Sequence, residues 1–503
     1  MPSKNLIIVG AGLAGSLLAV FMARQGWRVR VFERRPDPRA RGSIGGRSIN
    51  LALSVRGIDA LATVNLADHV MRSDAIAMRG RIMHDPLGRL AFQPYSSNPA
   101  DAINSVSRSG LNLTLLNAAA REPNVELVFD ALCTDCDPDA PSVTFRVPDG
   151  STQTHTADLV ASADGAFSAI RGVLMKTDRF DYSQSYLGHA YKELHIPSAP
   201  ELASAGTRPS PVTPDSLAWR NTPASDQLAR HHAPDPSLDP ARFALDPHAL
   251  HIWPRGGAMM IALPNRDGSF TCTLFWPFEG DQSFASLQTP EAVDAFFATH
   301  YPDARALMPT LTSDYFKNPT SSLVTVRAFP WQRAGKVVLL GDAAHAIVPF
   351  YGQGMNASFE DVKALAASLA AHPTDQLSAL LEFQALRKPN ADAIADMALE
   401  NFVEMRDKVG QPAFRYRKRV EQAVHRAFPE VVFPQYNLVS FSLVPYAESQ
   451  RRGRELDALI TQVVRQVSPD DAQAMADDAW TPRVLQAFEA ARARAPAASG
   501  ASA

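Results

Sequence analysis

Leu6-Ile7-Ile8-Val9 is a short unbroken apolar run that stops at Gly10, the pattern of a strand buried on both faces of a parallel sheet. The stretch after it, to about Gln25, has helical length, and Gly26 is placed to end it. Arg28-Val29-Arg30-Val31-Phe32-Glu33 then alternates as a second strand, so the N-terminus predicts a strand–helix–strand unit of an α/β fold. Two further buried strands are expected at 158–161, running into Asp164-Gly165, and at 336–340, running into Gly341-Asp342. A helix is expected from about Met355 to Ala371, with Pro373 beyond it. Residues 251–278 differ in texture. They are rich in β-formers (Trp253, Phe270, Thr271, Thr273, Phe275), with turn residues at Pro264-Asn265 and Asp267-Gly268, and predict a hairpin of a mostly antiparallel sheet. Residues 197–247 hold ten of the 38 prolines, and most of this stretch is expected to be an irregular, mobile surface insertion. From about Leu377 the pattern turns helical, and the last dozen residues are expected to be disordered.

Composition narrows this picture. At roughly 150 residues per domain, 503 residues suggest about three units. Lys plus Arg number 49 and Asp plus Glu 52, a net charge of −3, which gives no global electrostatic case for nucleic acid or an anionic membrane. Three cysteines, Cys133, Cys136 and Cys272, cannot build a disulfide framework, so a reduced, intracellular chain is expected. Residues 5–23 carry no charge and are long enough for a membrane span or signal, but Gly10, Gly12 and Gly15 interrupt them at fixed spacing.

That spacing is a GxGxxG lying between a strand and a helix. Its first glycine permits a tight turn, its second lets backbone approach a pyrophosphate, and its third allows close helix–strand contact; the helix N-terminus offers N–H donors. Glu33, at the end of the second strand, is placed to accept hydrogen bonds from a ribose. The motif does not separate NAD from FAD. Gly341-Asp342-Ala343-Ala344-His345 after a strand, with an acid for a ribityl chain, and Gly352-Gln353-Gly354-Met355-Asn356 opening a helix favour a flavin, as does Asp164-Gly165. Singly, each is an ordinary strand-end turn.

Longer strings carry a resemblance. Gly46 through Ser54, Met78 through Arg81, Ser105 through Arg108 and Arg179 through Gln184 resemble segments of the FAD-dependent aromatic hydroxylases of the para-hydroxybenzoate hydroxylase type, above all its kynurenine-hydroxylating branch. So do His251 through Arg255, Met259 through Asn265, Ser269 through Phe275, Gly341 through Asn356, and Glu404-Met405-Arg406. The resemblance implies a Rossmann-like FAD-binding domain (1–75, 100–185, 325–376) interleaved with a mostly antiparallel β-sheet substrate domain (76–99, 186–324). A helical C-terminal region (377–490) and a tail (491–503) would follow. It implies bound FAD, held by Leu13, Ala14, Glu33, Arg34, Arg35, Ala52, Arg108, Leu132, Asp164, Asp342, Met355 and Asn356 besides the three glycines. Arg81, Tyr95, Asn401 and Tyr436 would hold a small aromatic amino acid, and Pro349-Phe350-Tyr351 would wall the flavin ring. A planar guanidinium suits a carboxylate. Asn401 shares a helical face with Ile394, Met397, Ala398 and Met405, so it either has a local partner or faces a pocket.

The implied chemistry is reduction of FAD by NADPH, addition of O2 at the flavin C4a position, and hydroxylation of an electron-rich aniline ring ortho to its amino group, with no side-chain nucleophile and no metal. NADPH is expected to bind transiently, since no second GxGxxG stands out. Alternatives remain open: a related 2-aminophenyl ketone or aminobenzoate as substrate, a flavin-dependent halogenase or reductase, or a flavin fold kept as a scaffold. Two departures from the family stand out, the long 197–250 connection and Ser358 in place of a usual glycine. Animal members carry a C-terminal membrane helix and residues 462–503 hold none, so a soluble cytoplasmic monomer or homodimer is expected. The lone Cys133-Thr134-Asp135-Cys136 and the His231-His232 pair read as non-metal features. Two basic runs, Arg415 with Arg417-Lys418-Arg419 and Arg451-Arg452 with Arg454, read as solvated faces or as a rim drawing in an anion.

Overall fold

The computed structural model describes residues 4–40, 49–96, 98, 100–206, 238–404, 412–469 and 477–494, with only the main chain at 415, 477 and 478. Gly46, Arg47, Ser48, Met405, Arg406, the His231-His232 pair, most of the proline-rich segment, and the tail from 495 lie outside the described residues. Two compact units emerge, residues 1–401 and 402–503.

The first unit is built on two large sheets. In one, strands β1 (Asn5–Val9), β2 (Arg28–Phe32), β8 (Val125–Val128), β12 (Leu159–Ser162) and β19 (Val337–Leu339) run parallel in the order β19-β12-β1-β2-β8. The two-residue β18 (Gln332–Arg333) closes the β19 edge antiparallel. Between β1 and β2 runs the Leu13–Arg24 helix, whose residues Gly15 through Ala23 are all buried. The uncharged 5–23 run is therefore a core strand and a core helix. Among the described residues no helix is long and apolar enough to cross a membrane.

The second sheet has seven strands in the order β17 (Ser321–Phe329), β13 (Asp181–Ile196), β16 (Phe270–Pro277), β15 (Met259–Pro264), β14 (Ala249–Pro254), β5 (Gly80–His84), β6 (Leu90–Pro94). Every pairing is antiparallel except β14 with β5. One face is densely apolar: Leu194, Trp253, Met260, Phe270, Cys272 and Trp276 pack against Val293 and Phe297 of the Pro290–His300 helix. Alternation puts Tyr191, Glu193 and His195 on the opposite face of β13.

Two expectations need correction. The proline-rich segment is not irregular at its ends. Ala199–Ser204 is a helix with a Ser198/Glu201 capping box, and Leu202, Leu238, Phe243 and Leu245 are buried in the sheet's core. Its apolar positions at each end anchor it. Nor does a separate helical region begin at 377, because Ala379, Leu380, Phe383 and Ala391 of the Gln376–Val403 helix join the core of the dinucleotide-binding sheet. The second unit has its own core, in which Tyr416, Val420, Ile460, Val463, Trp480 and Phe488 meet between the Pro412–Ala427, Tyr446–Gln466 and Asp477–Arg494 helices.

Candidate active site

Strands β1, β12 and β19 end side by side: Ala163 N–H donates to Val9 O at 2.8 Å and Leu340 N–H to Ser162 O at 3.1 Å. The turn after each strand thus opens into one crevice at the carboxyl edge of a parallel sheet, where doubly wound folds bind ligands. Gly10 has φ +100°, and a Cβ there would lie 2.5 Å from Ala163 O. A Cβ on Gly15 would come within 1.9 Å of Gly10 O, so the helix sits directly on its own turn. At Gly12 a Cβ would meet nothing within 4 Å, which leaves an open approach to a helix start that no side chain caps. This cradle fits a dinucleotide's pyrophosphate, with Leu13 and Ala14 in the first helical turn.

Glu33 follows β2 and is buried. One of its oxygens accepts from Ala11 N–H at 2.9 Å, the other from Arg35 N–H and Nε at 3.0 and 2.7 Å. Burial alone would raise its pKa, but Arg35 and the N–H donors more than offset that and hold it below the ordinary value. A carboxylate accepts about four hydrogen bonds, so the ion can still take a ribose hydroxyl. Leu132 starts β9 (Leu132–Asp137) beside it, since Ala131 N–H donates to Glu33 O. Arg34 is exposed.

Asp164 takes Ser162 Oγ at 2.5 Å and Ala169 N–H at 2.8 Å, while Asp342 is exposed and opens the short Asp342–His345 helix. Ala52 lies on β3 (Asn50–Leu53), paired with β7 (Ile103–Ser107), which runs into Arg108 at a helix start. Met355 and Asn356 lie in the first turn of the Gly354–Ala371 helix. The Asn356 side chain is spent internally: it donates to Ala52 O at 2.8 Å and Gly352 O at 3.0 Å and accepts from Ser54 N–H at 3.0 Å. It ties β3 to the helix start, and main-chain N–H groups remain for a cofactor there. Ser358 fits the site of the usual glycine by donating its hydroxyl to Gly354 O at 2.9 Å.

Of the residues expected to hold a substrate, Arg81 lies on the half-polar face of the seven-stranded sheet. Register carries Arg81 to Leu250, Ile252 to Ile261, Met259 to Phe275 and Phe275 to Tyr191, all on one face. Arg81 lies over the Tyr95 ring, 5.3 Å from its centroid. At the other end Phe275 contacts Phe350 with centroids 5.0 Å apart. Asn401 Nδ2 donates to Phe350 O at 2.6 Å, so this amide has a local partner and braces the Pro349–Tyr351 turn. Tyr436 belongs to the second unit, on the Gln435–Phe441 helix, against Phe441.

Sequence reasoning gave no role to Phe275 or Glu193, although strand alternation put both on the site face. It also missed Asp361, whose signal was a carboxylate in apolar helical register between Ser358 and Leu365. Burial pushes the Cys133 and Cys136 thiols up to about 12. Among the described residues no group of His, Cys, Asp or Glu could hold a metal ion. In the basic runs Arg417 pairs with Asp457, Lys418 with Glu421, and Arg451 and Arg452 with Glu448, so these charges are largely neutralised in place.

Comparison with known proteins identifies the family. An FAD binding domain family matches residues 4–187 and 283–398. Kynurenine 3-monooxygenase from Myxococcus xanthus is 44% identical over 91% of this chain and 90% of its own length. The enzyme of that name from Dictyostelium discoideum is also 44% identical, over 92% and 94%. Among solved structures, 2-methyl-3-hydroxypyridine-5-carboxylic acid oxygenase superposes with a TM-score of 0.58 at 17% identity, covering 82% of this chain and 95% of that one, a likeness of fold. Identity of this extent, carried over nine tenths of each relative, makes the chain a member of the kynurenine 3-monooxygenase family within the flavoproteins that share this FAD binding domain.

Proposed function

We propose that this flavin monooxygenase hydroxylates L-kynurenine at ring position 3, consuming NADPH and O2. The observation that carries the substrate reading is the Arg81–Tyr95 pair at one end of the sheet face whose other end is the Phe275–Phe350 contact. From β5 to β16 is three strand spacings, about 14 Å between strand axes. After side-chain reach, that leaves room for a molecule one aromatic side chain long. Arg81 would pair with its carboxylate in a bidentate geometry that a lysine cannot reproduce. Tyr95 and Asn401 would complete the pocket, Asn401 by holding the Phe350 main chain.

FAD, held by the glycine cradle, Glu33, Asp164 and Asp342, supplies the redox chemistry and the activation of oxygen. The chain's own work is to bind, orient and keep dry. Phe275 and Phe350 present apolar surface where water would release peroxide, and the first turn of the Gly354–Ala371 helix presents N–H donors to negative charge. No side chain is needed as a nucleophile.

Stopped-flow reduction of the bound flavin by NADPH tests the reading. L-kynurenine is expected to accelerate reduction and to give 3-hydroxykynurenine in near-stoichiometric yield with NADPH. Reduction at the same rate with and without L-kynurenine would refute it as substrate.

A further inference from the structure

Asp361 is a fully buried charge on the Gly354–Ala371 helix, and such charges persist only when paired. One carboxylate oxygen accepts from Gly341 N–H at 3.0 Å and lies 2.5 Å from His345 Nε2; the other accepts from Arg387 Nε at 2.8 Å. These contacts lower the pKa that burial would otherwise raise. Arg387 also donates to Ala357 O at 3.2 Å and lies 3.0 Å from Glu360, whose second oxygen is 2.7 Å from buried Arg56. From the far side, Arg171 donates to Ala343 O at 2.8 Å and Ala166 O at 2.5 Å.

These contacts join the segments assigned to FAD and little else. Arg56 sits on the Val55–Thr63 helix just after Ala52; Gly341 and His345 bracket Asp342; Glu360 and Asp361 lie one to two turns beyond Met355; Arg171 follows Asp164-Gly165. Asp361 grips both ends of the Asp342 turn. Gly341 itself has φ +57°, and a Cβ there would lie 2.9 Å from Ser358 Oγ, so this end of the turn favours glycine.

We infer that Asp361 is a positioning residue for the flavin site, fixing the Gly341–His345 turn against the helix start so that Asp342 and the helix N–H groups meet FAD together. The inference rests on FAD binding at these segments, which reconstitution of the unaltered chain checks separately.

The test replaces Asp361 by Asn, which keeps the shape and can still accept from Gly341 N–H but loses the charge opposite His345 and Arg387. Phe297→Leu, in the sheet core on the far side from the site face, serves as a variant destabilised without touching the network. FAD dissociation constants and the visible circular dichroism of bound flavin are measured well below each melting temperature. Asp361→Asn is expected to weaken FAD at least tenfold and to alter the visible bands, whereas Phe297→Leu keeps wild-type values of both. Should Asp361→Asn not fold, His345→Asn, which leaves Asp361 paired with Arg387 and Gly341, is expected to weaken FAD three- to tenfold. Wild-type FAD affinity and spectra in the folded variant would overturn the inference. An unaltered chain that takes up no flavin would overturn the FAD reading as well.

Discussion

Burial pushes the Glu193 carboxyl up to about 7, only partly relieved by the positive charge of Arg108. Its folded pKa exceeds the unfolded value of 4.5, so the folded chain holds the extra proton between those two values and stability falls as pH rises through that window. Above pH 7 the penalty is complete. Glu193→Gln removes it, and the variant is expected to gain more in melting temperature at pH 8 than at pH 5, read by thermal unfolding at both. An equal shift at the two pH values would mean that Glu193 is not held protonated. Arg81 poses a question of affinity. A hydrogen bond to a charged group is worth about 1.5–3 kcal/mol, so Arg81→Ala is expected to raise KM for L-kynurenine roughly 10- to 100-fold. FAD affinity should stay unchanged, because Arg81 lies on β5 and none of the dinucleotide cradle does. A variant that loses flavin instead would show Arg81 to be part of the cofactor site.

Single elements divide into those a local pattern writes and those it does not. The β1–helix–β2 unit was legible because each step is local: an apolar run, glycines at a turn, uncharged helical length, then alternation. The 16-residue β13 was not, since its partners β16 and β17 lie more than 70 residues away and only pairing reveals which alternate positions share a face with Arg81. The Gln376–Val403 helix continues through Pro389, a residue that local rules read as a break, because its apolar face is buried on the dinucleotide-binding core. Asn401, at the far end of that helix, shows how an element acts on chemistry: its amide holds Phe350 O and with it the apolar wall. Asn401→Leu keeps the size and removes the donor, so the wall should loosen. We expect a larger share of NADPH consumption to yield peroxide, with FAD affinity unchanged, measured as the ratio of peroxide to hydroxylated product. Wild-type coupling would mean that the turn is held by its other contacts alone.

Across the whole molecule, the near-neutral charge balance conceals where the decisive charges lie. Among the described residues, Arg56, Asp361, Arg387 and Arg171 are charged groups buried where the segments proposed to hold FAD converge. Pattern and composition disclosed the doubly wound half of the fold and the flavin; they could not disclose this polar junction, because its members are spread from position 56 to 387 and meet only on folding. A site assembled from segments so far apart should be one that its ligand holds together. Ligand bound only to the folded state stabilises it by RT ln(1 + [L]/Kd), about 2.7 kcal/mol at a hundredfold excess over Kd. The shift in melting temperature is the free-energy gain divided by an unfolding entropy that grows with chain length, roughly 1 °C per kcal/mol for a unit of about 400 residues. Stripping FAD is therefore expected to lower the melting temperature of the 1–401 unit by about 3 °C, and added FAD to restore it. The 402–503 unit has a separate core, with Trp480 buried in it. A melting temperature that does not respond to FAD would mean that the convergence of these segments is complete without the cofactor, and that the buried charges alone hold the site in shape.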